Sequence, residues 1–181
     1  LFAPHIFTKA GCEVVKLYCE PDGNFPNHIP NPEDKSNMKD LQKKVLETGA
    51  DLGIAYDGDG DRVGFVDERG KIIPGTCVFV ALIKELVKPG DKVVYDIACS
   101  SMIEETIKSL GGIGVVSRTG HSFIHEKNKE VEAIVSGEAS GHYYFKTTHF
   151  CEDAFFASLK IAEIMSKNDM KASDLIIPMY K

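Results

Sequence analysis

The sequence lacks any apolar run long enough to cross a membrane, and its N-terminus lacks the basic-then-apolar order of a signal peptide. Its five cysteines are odd in number, and no two of them form a C-x-x-C pair. This pattern does not indicate a disulfide framework, so we expect reduced, mostly buried thiols. These absences together predict a cytoplasmic protein that has no membrane partner.

The sequence also lacks an excess of positive charge. Its net charge is −6, which argues against a nucleic-acid partner held through phosphate contacts. A small anionic ligand remains compatible, because local basic groups and helix N-termini can hold one. With 181 residues, of which 43% are hydrophobic and 27% charged, the chain is expected to form one or two globular domains. It begins at Leu1, inside a predicted helix, and is expected to be a piece of a longer protein.

Helical and strand patterns alternate along the chain. Apolar residues at helical spacing predict helices over 1–10, 32–48, 76–87, 100–110, 122–130 and 152–166. Short β-branched runs predict strands over 12–18, 51–56, 63–67, 92–97, 113–117, 131–136 and 143–145. This order predicts two consecutive α/β domains that meet near residue 70, each a mostly parallel mixed sheet between helices.

The most informative stretch is an acidic loop between two apolar runs. Asp57, Asp59 and Asp61 alternate with two glycines and are followed directly by Arg62. Three carboxylates at this spacing repel one another unless a cation lies among them. Hard oxygen ligands suit Mg²⁺, Mn²⁺ or Ca²⁺, so the loop predicts a divalent metal site. Arg62 is then placed to contact a phosphate held over the metal.

The pattern of this loop also fits two other interpretations. The three aspartates and Glu68 fall at the first, third, fifth and twelfth positions of an EF-hand loop, but Arg62 stands at the sixth position, where glycine is required. The flanking segments also have the pattern of strands rather than helices. The other interpretation is a solvated acidic hairpin without a ligand, the usual fate of a surface charge run.

Two further polar loops follow predicted strands. Residues 137–142 read GEASGH, in which Glu138, Ser140 and His142 are suited to holding vicinal hydroxyls; a polar turn without a ligand fits this loop equally well. Residues 118–122 read RTGHS and open a helix, so Arg118, His121 and free backbone amides there are suited to receiving an anion. A capped helix start with an exposed histidine is an equally common reading of that pattern.

Four segments together resemble the α-D-phosphohexomutase family, in particular its phosphomannomutase/phosphoglucomutase branch. DGDGDR at 57–62 is similar to the family's metal loop, and GEASGH at 137–142 is similar to its sugar-recognition loop. RTGHS at 118–122 and PDGNFPNHIPNP at 21–32 also resemble family segments, in the same order.

The resemblance implies a four-domain enzyme of which this chain holds two domains. Residues 1–70 would be the second domain, with the metal loop but without its first strand, and residues 71–181 the third, with the sugar-recognition loop. The family's T-A-S-H-N-P phosphoserine segment and its R-x-S-G-T-type phosphate loop are not in this sequence. The chain alone is therefore expected to be inactive, and its partners are expected to be the remaining domains of the same polypeptide.

The resemblance also implies roles for single residues. Asp57, Asp59 and Asp61 would hold Mg²⁺, and Arg62 and His121 would be catalytic. Four residues would bind a hexose phosphate: Arg118, Glu138, Ser140 and His142. Two positions depart from the family pattern, because Ala98 and His125 stand where many members have a basic residue. Each departure is expected to weaken acid–base assistance or phosphate contact.

The resulting hypothesis is an intramolecular phosphotransferase of the isomerase class. It would interconvert hexose 1-phosphate and hexose 6-phosphate of mannose or glucose through a phosphoserine and a bisphosphorylated sugar. The alternative is a non-catalytic divalent-metal-binding module or a degenerate mutase.

Overall fold

The computed structural model describes residues 2–176. Helix α1 (Phe2–Lys9) opens the chain, and helix α2 (Lys39–Thr48) packs against the first sheet. That sheet contains β1 (Leu52–Tyr56), β2 (Val63–Asp67) and β3 (Ile72–Ile73), in that order. Leu1, with which the first helix was predicted to begin, lies outside the described residues.

The first sheet is antiparallel throughout. The expectation of a mostly parallel sheet is therefore wrong for this part of the chain. Residues 57–62 join β1 to β2, and parallel neighbours need a crossover of a dozen or more residues. The hairpin register pairs Tyr56 with Val63, so the acidic loop closes the end of the β1–β2 ladder.

Residues 12–18, predicted as a strand, form none in the structure. Their β-branched composition favours an extended chain, but a strand also needs a neighbour whose backbone groups it can pair with. Within residues 2–176 this segment has no such neighbour, and Val15 and Tyr18 each remain 49% exposed.

Two predicted elements begin more than two residues later in the structure. The helix predicted from residue 32 begins only at Lys39, because turns occupy the preceding segment; there Asp34 accepts hydrogen bonds from the amides of Ser36 (2.8 Å) and Asn37 (2.9 Å). The strand predicted over 131–136 is shorter and later, because the helix before it continues to Val131.

The second part of the chain is a four-stranded mixed sheet between helices. Its elements are α3 (Gly75–Leu86), β4 (Lys92–Asp96), α4 (Ser101–Ser109), β5 (Ile113–Ser117), α5 (His121–Val131), β6 (Val135–Gly137), β7 (Tyr143–Phe145) and α6 (Ala154–Asn168). The strand order is β5-β4-β6-β7, in which β4 pairs in parallel with β5 and β6, and β7 is antiparallel to β6. The predicted mostly parallel sheet is confirmed here.

The parallel strands end at one edge of this sheet, at Asp96, Ser117 and Gly137. Ligands in open α/β sheets bind at this carboxyl edge, where the connections leave in opposite directions from a switch point. Because β4 lies between β5 and β6, the loops that begin at residues 97, 118 and 138 gather at such a point. Both predicted recognition loops of this part therefore share one edge of the sheet.

One hydrophobic core runs through both sheets. Val63, Phe65 and Ile73 of the first sheet pack in the same buried cluster as residues of α3, α4, α6 and the second sheet. A smaller cluster on the opposite face of the second sheet contains Val94, Ile124, Ala133 and Tyr144, and so lies under α5.

The cysteines form no disulfide among the described residues, but the expectation that most of them are buried is wrong. Cys77 is buried, Cys19 and Cys99 are intermediate, and Cys12 and Cys151 are exposed. Within residues 2–176, none of the helices combines the length and the apolar character needed to span a membrane.

Candidate active site

Asp57 organises the acidic loop. Its carboxylate is buried, and Oδ1 accepts hydrogen bonds from the amides of Gly60 (2.9 Å), Asp61 (3.1 Å) and Arg62 (3.2 Å). The backbone also closes at the loop's neck, where the amide of Asp57 donates to the carbonyl of Arg62 at 3.3 Å. These hydrogen bonds therefore define the turn of the loop. The segments on either side of the loop are strands, which rules out the helix-flanked EF-hand.

Asp57, Asp59 and Asp61 come close enough together to hold a cation. One carboxylate oxygen from each lies within 4.8 Å of the others. Burial and the neighbouring carboxylates raise the pKa of Asp61, because its charge is disfavoured beside two others. A divalent cation would relieve this repulsion, and three carboxylates are the donor set that hard cations prefer. The residues fit the predicted metal.

Arg62 is held on the same loop by three acceptors. Its Nε donates to Asp57 Oδ2 at 2.7 Å, and one terminal nitrogen donates to Glu33 at 2.9 Å and to the Asn31 side chain at 3.3 Å. For Asp57, burial opposes ionisation, but the bonds from Arg62 outweigh it and lower its pKa. The guanidinium is therefore fixed beside the carboxylate cluster.

The residues that hold Arg62 from outside the loop were missed in the sequence. Asn31 lies near the end of the proline-rich segment 21–32 and Glu33 directly follows it, and the residue pattern of this segment predicts only a stiff loop. Pro32, which lies between them, packs directly against Gly64 of β2. A Cβ added at Gly64 would lie only 2.7 Å from the Pro32 Cβ. The glycine at position 64 was the available signal in the sequence. A glycine in a strand indicates that another segment approaches closely, but it does not identify that segment.

The GEASGH loop turns tightly between β6 and β7. The amide of Glu138 donates to the carbonyl of His142 at 3.0 Å, and the amide of Gly141 donates to the carbonyl of Glu138 at 3.1 Å. Inside this turn, Ser140 Oγ lies 2.8 Å from His142 Nδ1. The structure therefore brings Glu138, Ser140 and His142 together.

The acidic loop and the GEASGH loop are in direct contact. His142 Nε2 lies 3.4 Å from Asp61 Oδ2, and the amide of Val63 donates to the carbonyl of Gly141 at 3.4 Å. Arg62 and His142 also form an isolated antiparallel bridge. A cation held by the aspartates and a ligand held by the GEASGH loop would be neighbours in one site.

The RTGHS segment joins this site through its backbone. The amide of Gly120 donates to Glu138 Oε2 at 3.3 Å. Arg118 stacks over Phe123, with its guanidinium carbon 4.3 Å from the ring centre, and His121 Nε2 lies 3.3 Å from Ser122 Oγ. Among the described residues, the side chains of Arg118 and His121 make no hydrogen bond or ion pair with either loop.

Neither of the two positions that depart from the expected pattern carries a lysine or an arginine. Ala98 carries no charge, and His125 Nδ1 lies 2.8 Å from the carbonyl oxygen of Phe150. The nearby Cys99 is not a ready nucleophile, since burial and Asp96 raise its pKa to about 12. Thiol catalysis at the carboxyl edge is therefore not supported.

Comparison with known families accounts for nearly the whole chain. Residues 1–70 match the family model described as phosphoglucomutase/phosphomannomutase, alpha/beta/alpha domain II, and residues 74–181 match alpha/beta/alpha domain III of the same family. The chain belongs to the phosphoglucomutase/phosphomannomutase family. The resemblance drawn from the sequence motifs is thereby confirmed.

Individual members of the phosphoglucomutase/phosphomannomutase family agree with this. The chain is 39% identical to a phosphomannomutase/phosphoglucomutase of Pseudomonas putida over 96% of its own length, and 38% identical to a phosphoglucomutase of Neisseria gonorrhoeae over 93%. The chain spans 38% and 37% of the lengths of these relatives.

A solved structure matches the fold as well. The crystal structure of a phosphoglucomutase/phosphomannomutase family protein from Burkholderia thailandensis superposes with a TM-score of 0.88 at 34% identity. The match covers 96% of this chain and 38% of that one. This chain is therefore similar to a part of a longer family member.

Proposed function

We propose that this chain is the central part of a Mg²⁺-dependent phosphohexomutase that interconverts hexose 1-phosphate and hexose 6-phosphate of mannose or glucose. Residues 1–70 would form the second domain of that enzyme and residues 71–181 the third. The observation that carries the proposal is the 3.4 Å approach of His142 Nε2 to Asp61 Oδ2, because this contact supports a single site shared by the proposed metal loop and the proposed hydroxyl-binding loop. A metal-binding module alone has no need of the second loop.

The metal would be held by Asp57, Asp59 and Asp61. When bound, Mg²⁺ supplies positive charge that neutralises a phosphoryl group during transfer. Arg62 would contact the same phosphate, since its guanidinium is fixed beside the three carboxylates. The phosphate would be carried by a serine of another domain of the polypeptide, and transfer to the sugar would give a bisphosphorylated intermediate.

The sugar would be held by the GEASGH loop. Glu138 offers carboxylate acceptors for hydroxyl groups, and Ser140 offers a hydroxyl whose orientation is set by His142. His142 would lie between sugar and metal, because its two ring nitrogens face Ser140 and Asp61. Arg118 and His121 would contact the substrate's phosphate or hydroxyl groups from the helix start beside Glu138.

The proposal extends to the protein's setting. The chain alone is expected to be inactive, because the family's phosphoserine and phosphate-loop motifs are not in this sequence. Its partners would be a hexose phosphate and the other domains of the same polypeptide, with no nucleic acid and no membrane. The enzyme would act in the cytoplasm.

Metal binding and activity test the proposal separately. Mn²⁺ binding to the chain, measured by calorimetry, should weaken at least severalfold in Asp59→Asn, because one of three charged ligands is lost. Asp51→Asn serves as a matched control, because Asp51 is also exposed and precedes the same hairpin. Unchanged affinity in Asp59→Asn would overturn the metal assignment.

The second measurement uses the full-length polypeptide that carries this sequence. With Mg²⁺ it should convert glucose 1-phosphate or mannose 1-phosphate to the corresponding 6-phosphate. Metal binding without conversion of any hexose phosphate would overturn the mutase assignment and favour a non-catalytic module or a degenerate mutase.

A further inference from the structure

A buried tyrosine contacts the carboxylate proposed to bind the sugar. Tyr144 lies in β7 with 0% of its surface exposed, packed in the cluster of Val94, Ile124 and Ala133 under α5. Its hydroxyl donates a hydrogen bond to Glu138 Oε1. A tyrosine hydroxyl in an apolar cluster needs a hydrogen-bond partner. Here the partner is a side chain proposed to bind the sugar rather than a backbone carbonyl.

The other oxygen of the carboxylate is held from a different segment. Glu138 Oε2 accepts from the amide of Gly120, at the start of α5, at 3.3 Å. The Glu138 side chain is only 3% exposed. A sugar would therefore contact a carboxylate held by the protein rather than one that rotates freely in water. Two donors, one on each oxygen, fix the plane of the carboxylate and leave its remaining lone pairs in defined directions.

We propose that Tyr144 is a positioning residue for sugar recognition. By occupying one lone pair of Glu138 Oε1, its hydroxyl fixes the direction from which Glu138 accepts the sugar's hydroxyl groups. This inference rests on the proposed function of the GEASGH loop, and it adds a residue that lies outside that loop and does not touch the sugar.

A purely structural role for Tyr144 is the competing explanation, and the neighbouring residue provides the control for it. Tyr143 is also 0% exposed, and its hydroxyl donates to a backbone carbonyl, that of Gly75, at 3.2 Å. Tyr143→Phe and Tyr144→Phe therefore each remove one buried hydroxyl from adjacent positions of the same strand. Both variants should lose stability, but only Tyr144→Phe alters a group proposed to bind the sugar.

The experiment measures ligand affinity in the full-length polypeptide by calorimetry, with glucose 1-phosphate and Mn²⁺ as separate probes. Tyr144→Phe should raise the dissociation constant for glucose 1-phosphate roughly tenfold, the effect of losing one well-placed interaction, and leave that for Mn²⁺ unchanged. Tyr143→Phe should change neither constant. Equal effects of the two variants on glucose 1-phosphate would overturn the positioning role.

A double-mutant cycle tests whether Tyr144 acts through Glu138. In the Glu138→Ala background, which removes the acceptor of the Tyr144 hydroxyl, Tyr144→Phe should cause less than a twofold further change in glucose 1-phosphate affinity. Additive effects in the two backgrounds would contradict the inference. If the unaltered protein binds Mn²⁺ but no hexose phosphate, the proposed function itself fails; if it binds both and the cycle is additive, only the role of Tyr144 fails.

A second measurement covers the case in which Tyr144→Phe does not fold. Replacing single tyrosines with 3-fluorotyrosine keeps the hydroxyl and places a ¹⁹F label beside it. Saturation with glucose 1-phosphate should shift the resonance of the label at Tyr144 and leave that at Tyr143 in place. A label at Tyr144 that does not respond while glucose 1-phosphate binds would overturn the proposal.

Discussion

The contact between Glu68 and Ser173 joins parts of the chain 105 residues apart, and we expect it to stabilise the fold in a pH-dependent way. Glu68 lies in the turn after β2, and Ser173 lies in the 3₁₀ turn Ala172–Leu175 near the end of the described chain. The Ser173 hydroxyl donates to Glu68 Oε1 at 2.6 Å, and its amide donates to Oε2 at 3.0 Å. We predict that Ser173→Ala destabilises the protein at neutral pH but much less in acid.

The magnitude follows from the charge and the exposure of the acceptor. Hydrogen bonds to charged groups contribute about 1.5–3 kcal/mol, and the Glu68 side chain is 19% exposed, so about 1.5 kcal/mol is expected at pH 7. Partial burial opposes ionisation of Glu68, but the bonds from Ser173 outweigh it and lower its pKa. A lowered carboxylate pKa stabilises the fold above the unfolded-state pKa of about 4.3, and this contribution is lost as pH falls through the folded-state pKa.

The assay is urea unfolding followed by circular dichroism at pH 7 and at successively lower pH. The deficit in unfolding free energy of Ser173→Ala should shrink from about 1.5 kcal/mol to below about 1 kcal/mol once Glu68 is protonated. Ser109→Ala is the control, because the Ser109 hydroxyl donates to a neutral carbonyl, that of Thr106, at 2.7 Å. A deficit for Ser173→Ala that is constant with pH would refute the reasoning.

Two further substitutions have calculable consequences. Gly137→Ala should destabilise the protein by about 1–3 kcal/mol in thermal unfolding, because an added Cβ would lie 2.9 Å from the buried ring of Phe79. A loss below about 0.5 kcal/mol would show that the Phe79 ring moves aside without cost. Glu33→Gln should lower the unfolding free energy by less than about 1 kcal/mol, because Glu33 is half-exposed and exposed ion pairs contribute little. A larger loss in urea unfolding would contradict this account of the Glu33–Arg62 pair.

The features predictable from the sequence are those in which function and local structure coincide. The residue pattern around the acidic loop predicted a tight connection between two apolar strands, and in the structure this loop joins β1 to β2. The GEASGH loop required a turn after a strand, and β6 and β7 provide that. In both cases the motif itself contains the glycines and carboxylates that shape it, so no distant residue was needed to recognise it.

The features that escaped prediction depend on partners far away in the chain. The segment 12–18 has the composition of a strand but no neighbour within the described residues, and composition does not report a missing neighbour. Asn31 and Glu33 hold Arg62 across about thirty residues, and nothing in their own surroundings identifies Arg62 as their partner. Tyr144 belongs to an apolar strand pattern, so its hydroxyl bond to Glu138 is invisible until β6 and β7 are paired.

The position of α3 has a consequence for how the chain can be divided. Six of its twelve residues are buried, and it contacts α4, α6 and β6 while sharing a core cluster with Val63 and Phe65 of β2. A helix covered on several sides is part of the hydrophobic core rather than of the surface. Severing the chain just before α3 would leave Val63 and Phe65 without a cover on one fragment and an unmatched apolar surface on the other. Recombination at the boundary between the two domains would therefore have to replace the apolar surfaces on both sides of α3 at once.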